Sequence, residues 1–225
     1  MLLAGEEDAC EIIDRVYGVA LAYENKRIWA NSCNKTSWLV LEIAKLFPRA
    51  KFVHFVRDGR RVTSSYYHKL ADECYENSDV GALLDWIGGL EIEPPHEKRY
   101  WWPLAQDDNG HNYDRWQRVC WFWKSVVDEI CRAFGDLPKE RRLTLRLEDF
   151  VGDETHFAKF FDFCGLQPRI DLFEKAQTPT NIIERSCYPL TEEQARVFWE
   201  ICAIPMRRFG YLGEDYIVDY DLGKK

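Results

Sequence analysis

The densest chemistry in the sequence sits where an apolar run ends. Lys51-Phe52-Val53-His54-Phe55-Val56 gives way at once to Arg57-Asp58-Gly59, and Ser65 stands eight residues beyond Arg57. The run is too brief for a helix and rich in β-branched and aromatic residues, so it reads as a buried strand. A helix follows, with Val62, Ser65, Tyr66, Lys69 and Leu70 on one side. In an open α/β sheet, ligands bind beyond the carboxyl ends of the strands. A guanidinium at that end, the free amides of a helix start capped by Asp58, and a hydroxyl two turns in can converge on one anion. That is the arrangement of a phosphate site. The competing reading is structural: Arg57 pairs with Asp58 or another carboxylate, and Ser65 only faces a neighbouring helix.

Other reactive groups are less pointed. Of the five histidines, His54 lies inside the strand and is expected to be a buried, hydrogen-bonded core residue. His68 follows Ser65 by three positions and could face the cleft. His96 and His111 fall in an irregular stretch, and His156 opens a later helix. None stands out as a general base, since a histidine on a mixed surface is usually only solvated. No His/Cys spacing suggests zinc, and no metal is expected. The eight cysteines (10, 33, 74, 120, 131, 164, 187 and 202) form no C-x-x-C pair, and several lie in apolar helical runs. They read as free thiols in a reducing, cytoplasmic setting, against the alternative of an exported protein with an even cysteine count.

These groups need elements to position them. An acidic helical stretch from Glu6 to Tyr23 leads to Lys26–Asn31, which could form a strand. Asn34 is placed to cap a helix carrying Trp38, Leu39, Ile43, Leu46 and Phe47 until Pro48 stops it. Residues 72–112 break all periodicity with Gly88-Gly89, Pro94-Pro95 and Asp107-Asp108-Asn109-Gly110, so they read as a lid or insertion. Within them, Tyr100, Trp101 and Trp102, together with Tyr113, could form a wall for an apolar or ring-shaped acceptor or anchor a lid. The longest helix carries Trp116, Val119, Cys120, Trp123, Val126, Val127, Ile130, Cys131 and Phe134 at steps of three and four, closed by Gly135. Trp116, Trp121 and Trp123 accordingly belong to the core. Leu143–Leu147 alternates as a second strand. Asp153 caps a helix with Phe157, Phe160, Phe161 and Cys164, ended by Gly165, and Thr191 to Gln194 open a last helix as a capping box. Pro205 should kink or end that helix. Strands alternating with helices predict a parallel β-sheet flanked by helices, an α/β fold.

The 225 residues, 46% apolar and 30% charged, suit one domain spanning 1–225 with a genuine core. A net charge of −8 repels nucleic acid and anionic membrane surfaces, so any anion site must be local. No run is long and apolar enough to span a membrane, and the first residues lack the pattern of a signal peptide.

The stretch Phe47-Pro48-Arg49-Ala50-Lys51-Phe52-Val53-His54-Phe55-Val56-Arg57-Asp58-Gly59-Arg60-Arg61-Val62-Thr63-Ser64-Ser65 resembles the segment of PAPS-dependent sulfotransferases, of the bacterial type, that grips the 3′-phosphate of 3′-phosphoadenosine 5′-phosphosulfate (PAPS). The resemblance implies that Arg57 and Ser65 both contact that phosphate. It continues through Leu145-Arg146-Leu147-Glu148-Asp149-Phe150, similar to the family's Tyr-Glu-Asp-Leu strand end with Leu147 in place of the tyrosine. Further on, Asn181 to Ser186 stand where the family has an arginine that helps hold the nucleotide, which implies that role for Arg185, and Phe209-Gly210-Tyr211 matches the closing motif. The implied fold is P-loop-NTPase-like.

Two departures qualify the likeness. The family's Gly/Ser/Thr-rich loop for the 5′-phosphosulfate has no counterpart here, so the fold is expected to be N-terminally incomplete and the chain a portion of a longer protein. At Trp29 to Asn34, many members carry Trp-Gly-Glu-Lys-Thr-Pro, and its acidic and basic residues are absent, with Lys35 a distant substitute. The implied activity is transfer of a sulfuryl group from PAPS, leaving PAP, to a hydroxyl or amine on a small-molecule or carbohydrate acceptor. The alternative is a noncatalytic nucleotide-binding or protein-interaction module. A phosphoryl transferase would need a Walker loop or a magnesium carboxylate pair, and neither is present.

Overall fold

The computed structural model describes residues 10–11, 13–23, 28–69, 113–178 and 190–211, with backbone alone at Asn34, Lys35 and Lys69. Residues 72–112, read above as a lid or insertion and containing His96, His111, Tyr100, Trp101 and Trp102, lie outside them, as do Arg185 and Cys187.

Two strands, β1 (Phe52–Val56) and β2 (Arg142–Arg146), pair in parallel, with Phe52 opposite Arg142 and Val56 opposite Arg146. The expected parallel α/β arrangement is therefore present, as a small sheet in a helix-rich chain. A parallel pair needs a long crossover; here it contains α3 (Gly59–Lys69) and α4 (Arg115–Asp136). Among the described residues, the other α-helices are α1 (Val19–Tyr23) and α2 (Val40–Leu46) before the sheet, and α5 (Leu147–Gly152), α6 (Glu154–Cys164), α7 (Ile170–Ala176) and α8 (Glu192–Arg208) after it.

The sheet has helices on both faces. On one, Val56 joins Trp116, Cys120, Trp123 and Val127 of α4 and Val197, Phe198, Cys202 and Met206 of α8 in a buried cluster. On the other, Phe55 meets Phe150 of α5 and Phe160 of α6 edge to face or tilted, and Phe157, Phe161 and Phe173 continue the aromatic layer. Alternate strand residues face opposite ways, so a five-residue strand can serve both layers. Arg141, just ahead of β2, donates from Nε to the Ala50 carbonyl (2.9 Å) and from its terminal nitrogen to those of Ala44 (3.2 Å) and Phe47 (3.0 Å). It thereby fastens the chain entering β1 to the start of β2.

Local signals account for most helix ends. Asp153 accepts from the Thr155 and His156 amides, Gly165 ends α6 in the left-handed region at φ 72°, and Thr191 with Gln194 completes the capping box of α8. The α4 cap is a second capping box, Asp114 with Gln117.

Several expectations are corrected. Residues 28–33 form no strand: Trp29 packs its ring on Tyr17 at 5.3 Å, and the Asn31 amide donates to the Tyr17 hydroxyl at 2.8 Å. These side-chain contacts tie the segment back to Tyr17. Cys33, not Asn34, is the cap residue ahead of a 3₁₀ turn at Asn34–Leu39, and the Thr36 hydroxyl donates to its carbonyl. β2 ends at Arg146, because Leu147 already opens α5. The long helix runs past Gly135 to Asp136. Pro205 does not end α8, which continues to Arg208; the proline is buried and its carbonyl still accepts from the Phe209 amide. His54 is buried as expected, but its Nδ1 has no hydrogen-bond partner among the described residues, and the ring stands edge-on to Phe134 and Phe209.

Candidate functional site

The site residues gather where both strands end. Val56 leaves the sheet, Arg57 follows, and Asp58 turns the chain into α3. The buried stripe of that helix is Gly59, Arg60, Thr63 and Ser64, not the Val62–Ser65–Tyr66 side that the sequence pattern suggests. Two features make polar residues tolerable there. The Thr63 hydroxyl donates to the Gly59 carbonyl at 2.8 Å, and the Arg60 guanidinium is neutralised by Asp58 through Nε (2.9 Å) and a terminal nitrogen (2.7 Å). Gly59 itself lies against the Trp123 ring: a Cβ there would come within 2.8 Å of the ring carbons.

Asp58 is therefore fully engaged. Its carboxylate also accepts the Arg60 amide at 2.9 Å, capping α3. The cation paired with Asp58 is Arg60 and not Arg57. Among the described residues, Arg57 has neither a hydrogen bond nor an ion pair, and it is exposed. Ser65 is half-buried and likewise has no partner among the described residues. It stands about 9 Å along the α3 axis from Gly59 at 1.5 Å per residue, on the helix face shared with Arg61 and His68. Among the described residues, the Arg57 guanidinium just before α3 and the Ser65 hydroxyl nearly two turns into it are thus both left without a partner. Partial burial, followed by the positive charge of Arg115, lowers the pKa of His68.

Beneath Arg57 lies a network that the sequence did not announce. Glu148, in the first turn of α5, accepts the Asp58 amide on one carboxylate oxygen (3.1 Å) and the Tyr211 hydroxyl on the other (2.6 Å). The same hydroxyl is 3.3 Å from the Val56 carbonyl. The Arg146 guanidinium stacks over the Tyr211 ring at 4.5 Å and lies 3.6 Å from Asp149. Burial, reinforced by the adjacent Glu148 carboxylate, drives the Tyr211 pKa well above that of a free phenol, so the hydroxyl remains a donor throughout the working pH range. Only the β1–β2 register, which sets Val56 beside Arg146, brings these residues together. Among the described residues, no group of three or more His, Cys, Asp or Glu is placed to hold a metal ion.

Comparison with known proteins bears directly on this end of the sheet. The sequence model of the sulfotransferase family matches residues 11–169, covering both strands, α3, α4 and the Arg57–Ser65 segment. The chain belongs to the sulfotransferase family. Sulfotransferases generally draw the sulfuryl group from PAPS. Arg185 and Tyr211 lie beyond the matched residues. No curated protein matches this sulfotransferase-family chain, nor does any solved structure.

Proposed function

We propose that the protein transfers a sulfuryl group from PAPS to a hydroxyl or amine of a small-molecule or carbohydrate acceptor, and that Arg57 and Ser65 hold the 3′-phosphate, joined by Arg185. The observation that supports this most is the division of labour at the end of β1. Arg60 satisfies Asp58, while Arg57, the adjacent cation, is exposed and without a partner among the described residues. A buried ion pair beside an uncommitted arginine holds the helix start rigid while leaving one positive charge for an anion.

In sulfuryl transfer, the acceptor oxygen or nitrogen bonds to sulfur, the bond from sulfur to the bridging oxygen breaks, and the acceptor gives up its proton. The contribution proposed for this chain is positioning: Arg57 and the Ser65 hydroxyl orient the nucleotide, so that binding energy from a remote phosphate fixes the reacting end. A reducing, cytoplasmic setting goes with this reading, supported by the free thiols of all six described cysteines. Among the described residues, no helix is long and apolar enough to cross a membrane.

The test is calorimetric titration of PAP into the parent, Arg57→Ala, Ser65→Ala and Arg185→Ala. A charge-assisted contact contributes about 1.5–3 kcal/mol, so loss of Arg57 should weaken binding roughly 10- to 100-fold, and loss of the neutral Ser65 hydroxyl about 5-fold. A folded parent that does not bind PAP would overturn the proposal. Binding of PAPS without turnover across a panel of hydroxyl and amine acceptors would favour the noncatalytic nucleotide-binding module.

A further inference from the structure

The two peptide groups on either side of Arg57 are both anchored by the same pair of side chains. The Val56 carbonyl, which belongs to the peptide before Arg57, faces the Tyr211 hydroxyl at 3.3 Å. The Asp58 amide, which belongs to the peptide after it, donates to Glu148 at 3.1 Å. Tyr211 and Glu148 are in turn joined by the short 2.6 Å bond. The Tyr211 proton goes chiefly to the carboxylate, and the Val56 contact is the weaker branch by length. Arg57 is thus the residue around which a closed bridge forms: Val56 to Tyr211, Tyr211 to Glu148, and Glu148 back to Asp58.

We propose that Tyr211 and Glu148 are positioning residues for Arg57, fixing its backbone so that the guanidinium is presented to the anion with little conformational freedom left to lose. The proposal rests on the reading of Arg57 as the nucleotide anchor. A side chain emerging between two restrained peptides can swing only about its own torsions, and pre-organisation of that kind strengthens binding without adding a contact. The elements involved make the bridge economical. Glu148 sits in the first turn of α5, Tyr211 follows α8, and Arg146 stacked on the Tyr211 ring holds the phenol in place from β2. Two separated parts of the chain, the β2–α5 junction and Tyr211 beyond α8, therefore converge on the backbone on either side of Arg57. Burial supports the same role: Tyr211 is only 5% exposed, although its hydroxyl is spent on this bridge and not on solvent.

Two readouts on the intact chain test the proposal: amide hydrogen exchange at Asp58 without ligand, and PAP affinity. Tyr211→Phe keeps the ring and its stack with Arg146 but removes the bridging hydroxyl. Glu148→Ala removes both acceptors, and Glu148→Gln keeps a carbonyl oxygen for the Asp58 amide. Faster Asp58 exchange is expected in Glu148→Ala and Tyr211→Phe, with protection largely restored in Glu148→Gln, while amides in the middle of α4 are unchanged. PAP affinity should fall about 5-fold in Tyr211→Phe and further in Glu148→Ala. In an Arg57→Ala background, Tyr211→Phe should cause no additional loss, an outcome that general destabilisation would not give. Unchanged Asp58 exchange in both variants, or Tyr211→Phe weakening PAP equally with and without Arg57, overturns the positioning role. If the parent binds no PAP, the nucleotide reading fails by itself, and the exchange data still decide whether the bridge restrains this backbone.

Discussion

Asp58 does three things from one position: it caps α3, neutralises Arg60, and offers its own amide to Glu148. Removing it takes from buried Arg60 the carboxylate it pairs with, so Asp58→Ala should cost about 3–5 kcal/mol in urea denaturation. The double variant Asp58→Ala/Arg60→Met should recover part of that loss, because the buried positive charge goes as well. His54 offers a second test at this scale. Burial lowers its pKa from 6.5 to about 4, so the unfolded chain takes up a proton at a pH where the folded protein does not. Stability from this residue is complete above pH 6.5 and lost progressively as the pH falls to about 4, on the order of 3 kcal/mol in total. His54→Phe should flatten that part of the stability curve; an unchanged slope would show that the imidazole is not the titrating group.

The helices make their own predictions through two glycines. At Gly59 the missing Cβ is what allows α3 to lie against Trp123, so Gly59→Ala should destabilise by about 1–3 kcal/mol despite the better helix propensity of alanine. At Gly135 nothing lies within 4 Å of a built Cβ, and Gly135→Ala should stabilise by about 0.5–1 kcal/mol. Thermal unfolding of the two variants against the parent should move in opposite directions. The same elements show what the sequence disclosed. Strands, the α4 stripe and the Asp153 and Thr191 caps are local patterns, legible because periodicity and capping act within a few residues. The buried stripe of α3 was not, since Arg60 becomes a core residue only through Asp58, and Thr63 and Ser64 only because Gly59 lets the helix approach α4. Arg57 and Ser65 were singled out by their spacing and by the family resemblance, and their anion-binding role is the proposal made above. Glu148 and Tyr211 were not, because their role exists only once β1 and β2 are known to be neighbours and Tyr211 to return beneath them.

Across the whole molecule, the two strands are fastened at both ends by different means. At their entry, Arg141 binds three carbonyls of the segment leading into β1; at their exit, Tyr211 and Glu148 hold the chain around Arg57. The two clamps should separate in experiment. Arg141→Met should lower stability by about 2–4 kcal/mol, in line with several lost charge-assisted bonds, while leaving PAP affinity within about 2-fold, because that clamp lies at the opposite end of the sheet. An equal fall in affinity would mean that the sheet transmits strain from one end to the other.

The parallel pairing of β1 with β2 also bears on how this chain can change length. The crossover between them occupies residues 57–141, and the 72–112 stretch makes up about half of it. Loop-closure entropy grows only with the logarithm of length, about 0.6 kcal/mol for each doubling. A change in the length of that stretch is therefore almost neutral for closing the sheet and need not move the strand ends that carry Arg57.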